Sequence, residues 1–488
     1  MRYSYHIFMF PFRWHIEEQR AERFGEQIAF RNIKFPTVFD AWERVIEPKT
    51  PEEKESLYNE KNYFYEFVHD ALYDTGRDDN TNIVRHYERK EPKSQNVFYH
   101  IKTFNKEYVL NVDAINLNLY STGVGVLSFY LYNEKYEDKD DILKINQYGR
   151  RVYPPYFASK IPSSFSELPV LLSFEGLNGV YSENFQHYGT DDANKPASFL
   201  RKMVNEVAPN IDIKAVIDDR MYTMSWYYNC DLIIELCDKK ESLYISNEYW
   251  YKYIYVDGGS LTCQNDDMMR ELIKKSTYER WQKWHSLYGM SRYSFVMLTN
   301  AGDSEKHLYT TFETEYARMA ELILVQKASV LRFSAEVTNI SSMEKERQDN
   351  KLADKVRSLY KEYIRFVNQI HFREVSAQDQ AIELYDKLYE TAKLKEHVEK
   401  LDDEIEELFN YVSMQEDKKT NDTMQLFSLL ATVFVPATII TGFFGMNNAT
   451  NKAGESEALI SNFLFQFFMI LIVSCVFGYV VYKRFKRK

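Results

Sequence analysis

Between Thr423 and Asn447 no charged residue occurs, and heptad-like steps back from Gly445 meet Gly442, Thr438, Val435, Ala431, Ser428, Met424 and Asn421. Most of these are small or polar. The opposite side carries Leu426, Leu429, Leu430, Val433, Phe434, Ile440, Phe443 and Phe444, which suits lipid or a partner helix. Small residues can serve simply to let helices approach. They are also the types a pore lining needs, because a hydrated ion cannot pass beside bulky apolar side chains but can be held by hydroxyls, amides and backbone carbonyls. Just upstream stand Asp402, Asp403, Glu404, Glu406, Glu407, Glu416 and Asp417. That run reads as a solvated helix face, or as one that concentrates divalent cations. Bond-making chemistry has little support: there is no Walker lysine loop, HExxH or Gly-x-Ser-x-Gly, and no histidine pair at metal spacing on an expected helix. The chain is expected not to be an enzyme.

The elements that hold these residues follow from charge and from the helix breakers. The uncharged runs Thr423–Asn451 and Ala458–Tyr482 each exceed the ~20 residues that span a hydrocarbon core. They predict a transmembrane hairpin: a first helix over 423–447, an extracytosolic loop over 448–457, a second helix over 458–482 and a basic tail over 483–488. Lys483, Arg484, Lys486, Arg487 and Lys488 place both termini in the cytosol by the positive-inside rule, making a multi-pass protein of the inner (plasma) membrane. Eleven of the 12 prolines and twelve of the 16 glycines lie within 1–302, while Asp303–Val435 has neither. Residues 303–422 are therefore a domain of long helices. In it Leu352, Val356, Leu359, Tyr363, Phe366 and Ile370 step by four and three, as do Val398, Leu401, Ile405, Leu408 and Val412. Turns at Ser341–Lys351 and Phe372–Gln380 would give about three helices in an antiparallel array.

Residues 1–302 read as a separate mixed domain. The opening MRYSYHIFMFPFRW, Val97–Thr103, Tyr108–Tyr120, Val124–Tyr132, Tyr222–Leu236, Tyr249–Val256 and Tyr293–Thr299 are expected strands, and Thr37–Ile46 and Ala197–Val207 expected helices. Ser121–Gly125 is expected to be a hairpin turn rather than a phosphate loop, since no helix follows it. The fold class is thus α+β, followed by long stalk helices and the C-terminal membrane hairpin. A net charge of −11 without a basic block in the body argues against direct nucleic-acid binding and for cations as partners. Cys230, Cys237, Cys263 and Cys475 match no zinc or disulfide pattern.

The first span ends in Pro436-Ala-Thr-Ile-Ile-Thr-Gly442-Phe-Phe444-Gly445-Met446-Asn447. This resembles the Gly-Met-Asn signature of the CorA-type magnesium and divalent cation channels, at the outer end of the first of two C-terminal membrane helices; the similarity covers about Gln378–Lys488. The resemblance implies a homopentamer whose first spans line the pore and continue inward as the stalk. It places the selectivity filter at Gly445, Met446 and Asn447, with Asn447 meeting the hydrated ion. Magnesium gives up its water reluctantly, so neutral oxygens that bond its hydration shell can select it without trapping it. Asn421, Met424, Phe427, Ser428, Ala431, Val435, Thr438 and Gly442 would line the pore, with Met424 and Phe427 or Ser428 as a hydrophobic gate. The loop NATNKAGESE lacks the family's acidic, proline-containing segment and leaves Glu455 and Glu457 to gather cations.

The long aromatic N-terminal part, with YHIFMFPFRW, NLYSTGVGVLSFYLYN, DDRMYTMSWYYN and SRYSFVML, looks like a CorA subgroup associated with type III CRISPR systems. That resemblance implies gating by a nucleotide second messenger made from S-adenosylmethionine and ATP (SAM-AMP type), in antiviral defence. Arg150, Arg151, Arg220 and Trp226 are the candidate ligand contacts, for phosphate charge and base stacking; a buried β-core also accounts for the aromatics. Two other readings compete. One is a housekeeping transporter of Mg2+ (or Co2+, Ni2+, Zn2+) gated by cytosolic Mg2+, the other a membrane-anchored coiled-coil scaffold that transports nothing.

Overall fold

The computed structural model describes residues 1–16, 30–37, 39–46, 48, 50–78, 81–153, 169–185, 195–237, 243–259, 261–302, 306–343 and 349–447, and 465, 468, 469, 472, 476 and 479 beyond them. Side chains at 306–307, 342–343, 349–351, 433, 436–437, 440 and 443–447 are outside the description. By internal contacts the chain forms two units, Met1–Glu406 and Glu407–Lys488.

The opening segment is a strand, β1 (Ser4–Ile16), buried along nearly its whole length. The further strands are β2 (Trp42–Arg44), β3 (Val84–Arg89), β4 (Phe98–Lys102), β5 (Glu107–Tyr120), β6 (Val124–Asn133), β7 (Leu171–Glu175), β8 (Tyr181–Asn184), β9 (Ile211–Ala215), β10 (Tyr222–Tyr228), β11 (Thr277–Tyr278), β12 (Ser286–Ser291) and β13 (Ser294–Thr299). They form one sheet in the order β11-β12-β13-β10-β1-β6-β5-β4-β7-β8, with β9 also on β1 and β3 joining β2 to β5. Proline is unusual in a central strand because it donates no ladder bond. Pro11 is tolerated where β1 changes neighbours: β10 pairs Ser4–Met9 and β9 pairs Phe12–Ile16. The β5–β6 hairpin turns at Gly123 with φ +76°, so the expected hairpin reading of Ser121–Gly125 holds.

Three sequence expectations need correction. Tyr222–Leu236 is a strand only to Tyr228; Asn229 then caps a helix, Cys230–Leu236, its side chain accepting from Leu232 N at 3.0 Å. Tyr249–Val256 is not a strand but a helix, here α2 (Glu248–Tyr255), capped by Asn247 through Trp250 N at 2.9 Å. In both, an asparagine cap outweighs the β preference of the aromatics that follow. Thr37–Ile46 is not helical where described; it holds only β2, paired to β3. The helix expected at Ala197–Val207 is present as Ser198–Val207.

Other helices that matter below are α1 (Lys139–Gly149), α3 (Asp266–Ser276), α4 (Ala317–Met343), α5 (Asp349–Gln369), α6 (Asp379–Thr391) and α7 (Leu394–Asn447). The stepped apolar residues of α5 and α7 are seams: Val356, Leu359, Phe366, Val398, Leu401 and Ile405 are buried. Between α4 and α5, Phe333 meets Tyr363 edge-on and Phe366 at 5.6 Å. Among the described residues the helical region holds more than the roughly three helices expected, in part because Lys393 breaks α6 from α7 without glycine or proline. It sits at φ +52°, a left-handed backbone that a side chain disfavours.

Candidate functional site

Arg150 and Arg151 follow the end of α1, and Arg220 precedes β10, yet an isolated antiparallel bridge joins Arg151 to Arg220. Met221 N donates to Arg150 O at 2.7 Å and Tyr153 N to Asp219 O at 3.3 Å. This zipper needs two close approaches. A Cβ on Gly149 would meet the Phe8 ring at 2.7 Å, and one on Gly258 would meet Leu143 O at 2.9 Å.

The three arginines thereby share a cavity of about 490 Å³. Lys275, Arg292, Lys387 and Lys393 add four more cations, against only Asp257 and Glu390 among its lining residues, with Tyr251, Tyr255 and Tyr293 as aromatic walls. Asp257 is occupied by Thr262 N at 2.8 Å and Glu390 faces Lys275 at 3.8 Å. Arg151 donates to Asp219 at 2.9 Å, and Arg220 pairs with Asp218 at 3.1 Å and Asp219 at 3.2 Å.

Arg150 has no such partner. It is 2% exposed, donates through Nη2 to Val256 O at 3.2 Å, and leaves its buried Nε without a hydrogen bond. Burial, then the like charge of Arg220, pushes its pKa down to about 9. It is still a cation at neutral pH, but one without a direct ion pair, the nearby Asp218 and Asp219 acting on it only at longer range, an arrangement that costs stability. The Tyr293 ring lies 5.8 Å from the Arg150 guanidinium and 5.2 Å from that of Arg220. The described non-glycine residues with positive φ are Val256, His285 and Lys393, and two of them, Val256 and Lys393, line this cavity. Such strain clusters at functional sites. The donors suit an anion that accepts from several guanidinium and ammonium groups, attached to a group that stacks on tyrosine.

Of the four ligand candidates the structure brings three together. Trp226 goes elsewhere: it is 1% exposed and meets the Tyr309 ring edge-on at 5.7 Å, as a core residue of β10. The cations at 275, 292, 387 and 393 were missed from sequence. They come from three separate segments, around α3, the turn between β12 and β13, and the end of α6, and only the fold assembles them.

The pore candidates lie on α7, which runs unbroken to Asn447. Asn421, Met424, Phe427, Ser428, Ala431, Val435, Thr438 and Gly442 are all exposed in the single chain, Met424 and Phe427 at 65% each. A Cβ on Gly442 would meet nothing within 4 Å. Thr432 and Thr438 return their hydroxyls to the carbonyls of Ser428 and Phe434 at 2.7 and 2.8 Å, so these polar side chains are satisfied within the helix. Gly445, Met446 and Asn447 belong to α7 by backbone, and their side chains lie outside the described ones. So do the loop 448–457 and most of 458–488. Among the described residues no helix is long and apolar enough to cross a membrane, and no group of three or more His, Cys, Asp or Glu could hold a metal ion.

No curated protein sequence matches the chain. A solved structure, the complete CorA magnesium transporter of Methanocaldococcus jannaschii, aligns over 55% of this chain and 92% of that one at 12% identity; its TM-score of 0.23 is too low to support a shared fold. Residues 316–487, from the long helices to the basic tail, match the family model described as CorA-like Mg2+ transporter protein.

Proposed function

We propose that this protein is a CorA-like homopentameric channel for hydrated divalent cations of the Mg2+ type, in the inner membrane with both termini cytosolic. The observation that carries this reading is the family match over residues 316–487. In it, 303–422 form the stalk, 423–447 the pore helix, 448–457 the outer loop, 458–482 the second span and 483–488 the cytosolic tail. Asn447, with Gly445 and Met446, meets the hydrated ion. Met424 with Phe427 or Ser428 forms the gate, and Asn421, Ala431, Val435, Thr438 and Gly442 line the way between. Leu426, Phe434, Val435 and Ile439 expose 52–65% of their surface in the isolated chain, which favours a bilayer or neighbouring copies around this helix.

The domain 1–302 acts as a sensor. Its ligand is a nucleotide messenger of the SAM-AMP type in a CRISPR-linked defence role, bound through Arg150, Arg151 and Arg220. A buried Arg150 without a direct ion pair is the feature that favours this over a transporter closed by cytosolic Mg2+ alone. A ligand opens a channel only by its differential affinity for the two states, so binding and conductance must be linked. In proteoliposomes of the full chain, a conjugate of S-adenosylmethionine with AMP should raise divalent flux, and Arg150→Ala should shift the required concentration upward at least tenfold. Mg2+-gated flux indifferent to the conjugate would return the protein to the housekeeping class. Light scattering that gives a monomer or dimer in detergent would remove the pore itself and leave the scaffold.

A further inference from the structure

Behind Tyr293 and Arg220 lies a second cavity of about 340 Å³. It shares Arg220, Ser291, Arg292, Tyr293, Thr391 and Lys393 with the first, so the two are lobes of one cleft. We propose that this second lobe is an anion subsite on Lys327, Arg292 and Lys393, and that the ligand carries an anionic group at each of two ends. The proposal rests on the first lobe being a nucleotide site.

The walls of the second lobe are largely apolar, with Ile217, Ile323, Leu324, Leu331 and Leu388. Its cations are nevertheless in excess. Asp218 is the one carboxylate among the lining residues, and it is taken by Arg220, which donates to it at 3.1 and 3.3 Å. Lys393 reaches only Glu396, at 3.9 Å, with both side chains more than half exposed. Among the described residues neither Lys327 nor Arg292 has an ion-pair partner. Lys327, half-buried on α4, is held down to a pKa of about 8 by burial first and then by the charges of Arg292 and Lys393. An isolated surface lysine needs no special account. Three cations converging on an apolar-walled cavity do, because the exposed Glu396 offsets only part of their mutual repulsion and an anion would offset the rest. A carboxylate and a phosphate would each serve, and an apolar linker suits the walls.

The test is calorimetry on the full chain in detergent, with three probes: AMP, which has one anionic end; the conjugate of S-adenosylmethionine with AMP, whose methionine end offers a carboxylate beside an ammonium and a sulfonium; and linear diadenylate bearing a 5′-phosphate. Lys327→Met should weaken one or both two-ended probes at least tenfold and leave AMP within twofold, and Lys327→Arg should restore most of the loss. Which two-ended probe responds identifies the anion. Equal weakening of AMP, or no effect on either two-ended probe, overturns the second lobe while the first stands. Failure of the wild-type chain to bind any of the three sinks both readings.

Discussion

The cleft and the exposed C-terminal part of α7 treat their polar groups in opposite ways. In the cleft, one chain completes the site: burial and crowding of like charge leave Arg150 poised for an anion, and the neighbouring carboxylates are already committed. On α7 a single chain completes nothing. Its threonines satisfy themselves along the helix while Phe427, Phe434 and Ile439 stand more than 60% exposed. The difference teaches where each function can be read. On the proposed reading, a site made by desolvation is visible in one copy, whereas one made by a ring of copies leaves only an unpartnered face.

Substitutions should separate the two regions. The largest effect is expected at the filter. Asn447→Ala should abolish selective divalent flux in proteoliposomes without changing oligomer size or melting temperature; unchanged Mg2+ uptake would remove Asn447 from the filter. Next comes a stability effect confined to the first unit. Arg332 is buried, 2.8 Å from Glu362 and 3.5 Å from Glu336. Arg332→Met leaves both carboxylates without it, and a cost of about 3–5 kcal/mol is expected, read from chemical denaturation. A melting curve that does not move would show the network to be hydrated.

A smaller effect should depend on pH. Burial, then Asp113, raises the Glu313 carboxyl from 4.5 to about 7, so the folded state holds its proton where the unfolded state has lost it. Stability therefore falls as pH rises from about 4.5 to 7. Glu313→Gln should flatten that slope and add about 1–2 kcal/mol at pH 8. A slope that survives the substitution would assign it to other groups. The smallest effect concerns strain beside the cleft. Lys393→Gly should relieve the left-handed backbone and stabilise the empty protein by about 1 kcal/mol, while weakening the two-ended ligands. If it destabilises instead, the Lys393 side chain contributes more than its backbone costs.

The seams of α5 and α7 were legible because a helix with one buried face repeats its apolar residues by three and four. The hairpin at Gly123 and the strand β1 were legible from other local signals, glycines between two strand-like runs and a dense run of aromatic and aliphatic residues. Trp226 was misleading: strand alternation puts it in the core beside Tyr309, and its size suits stacking and core filling equally. The helices after Asn229 and Asn247 were legible in principle, since an asparagine accepting from the third residue on is a known start signal, but the aromatic runs that follow read as strands. The break at Lys393 carried no such signal.

By itself the sequence determined the long glycine- and proline-free helices, the uncharged runs and the Gly-Met-Asn ending. These depend on neighbours three or four residues away, or on a whole segment's lack of charge, and such properties survive without knowledge of the fold. Only the tertiary structure decided that Arg150, Arg151 and Arg220 meet, and that Lys275, Arg292, Lys387 and Lys393 join them. That outcome depends on a bridge across almost seventy residues and on burial that leaves a guanidinium without a direct ion pair. Charge in a chain is local, but its compensation is a property of space.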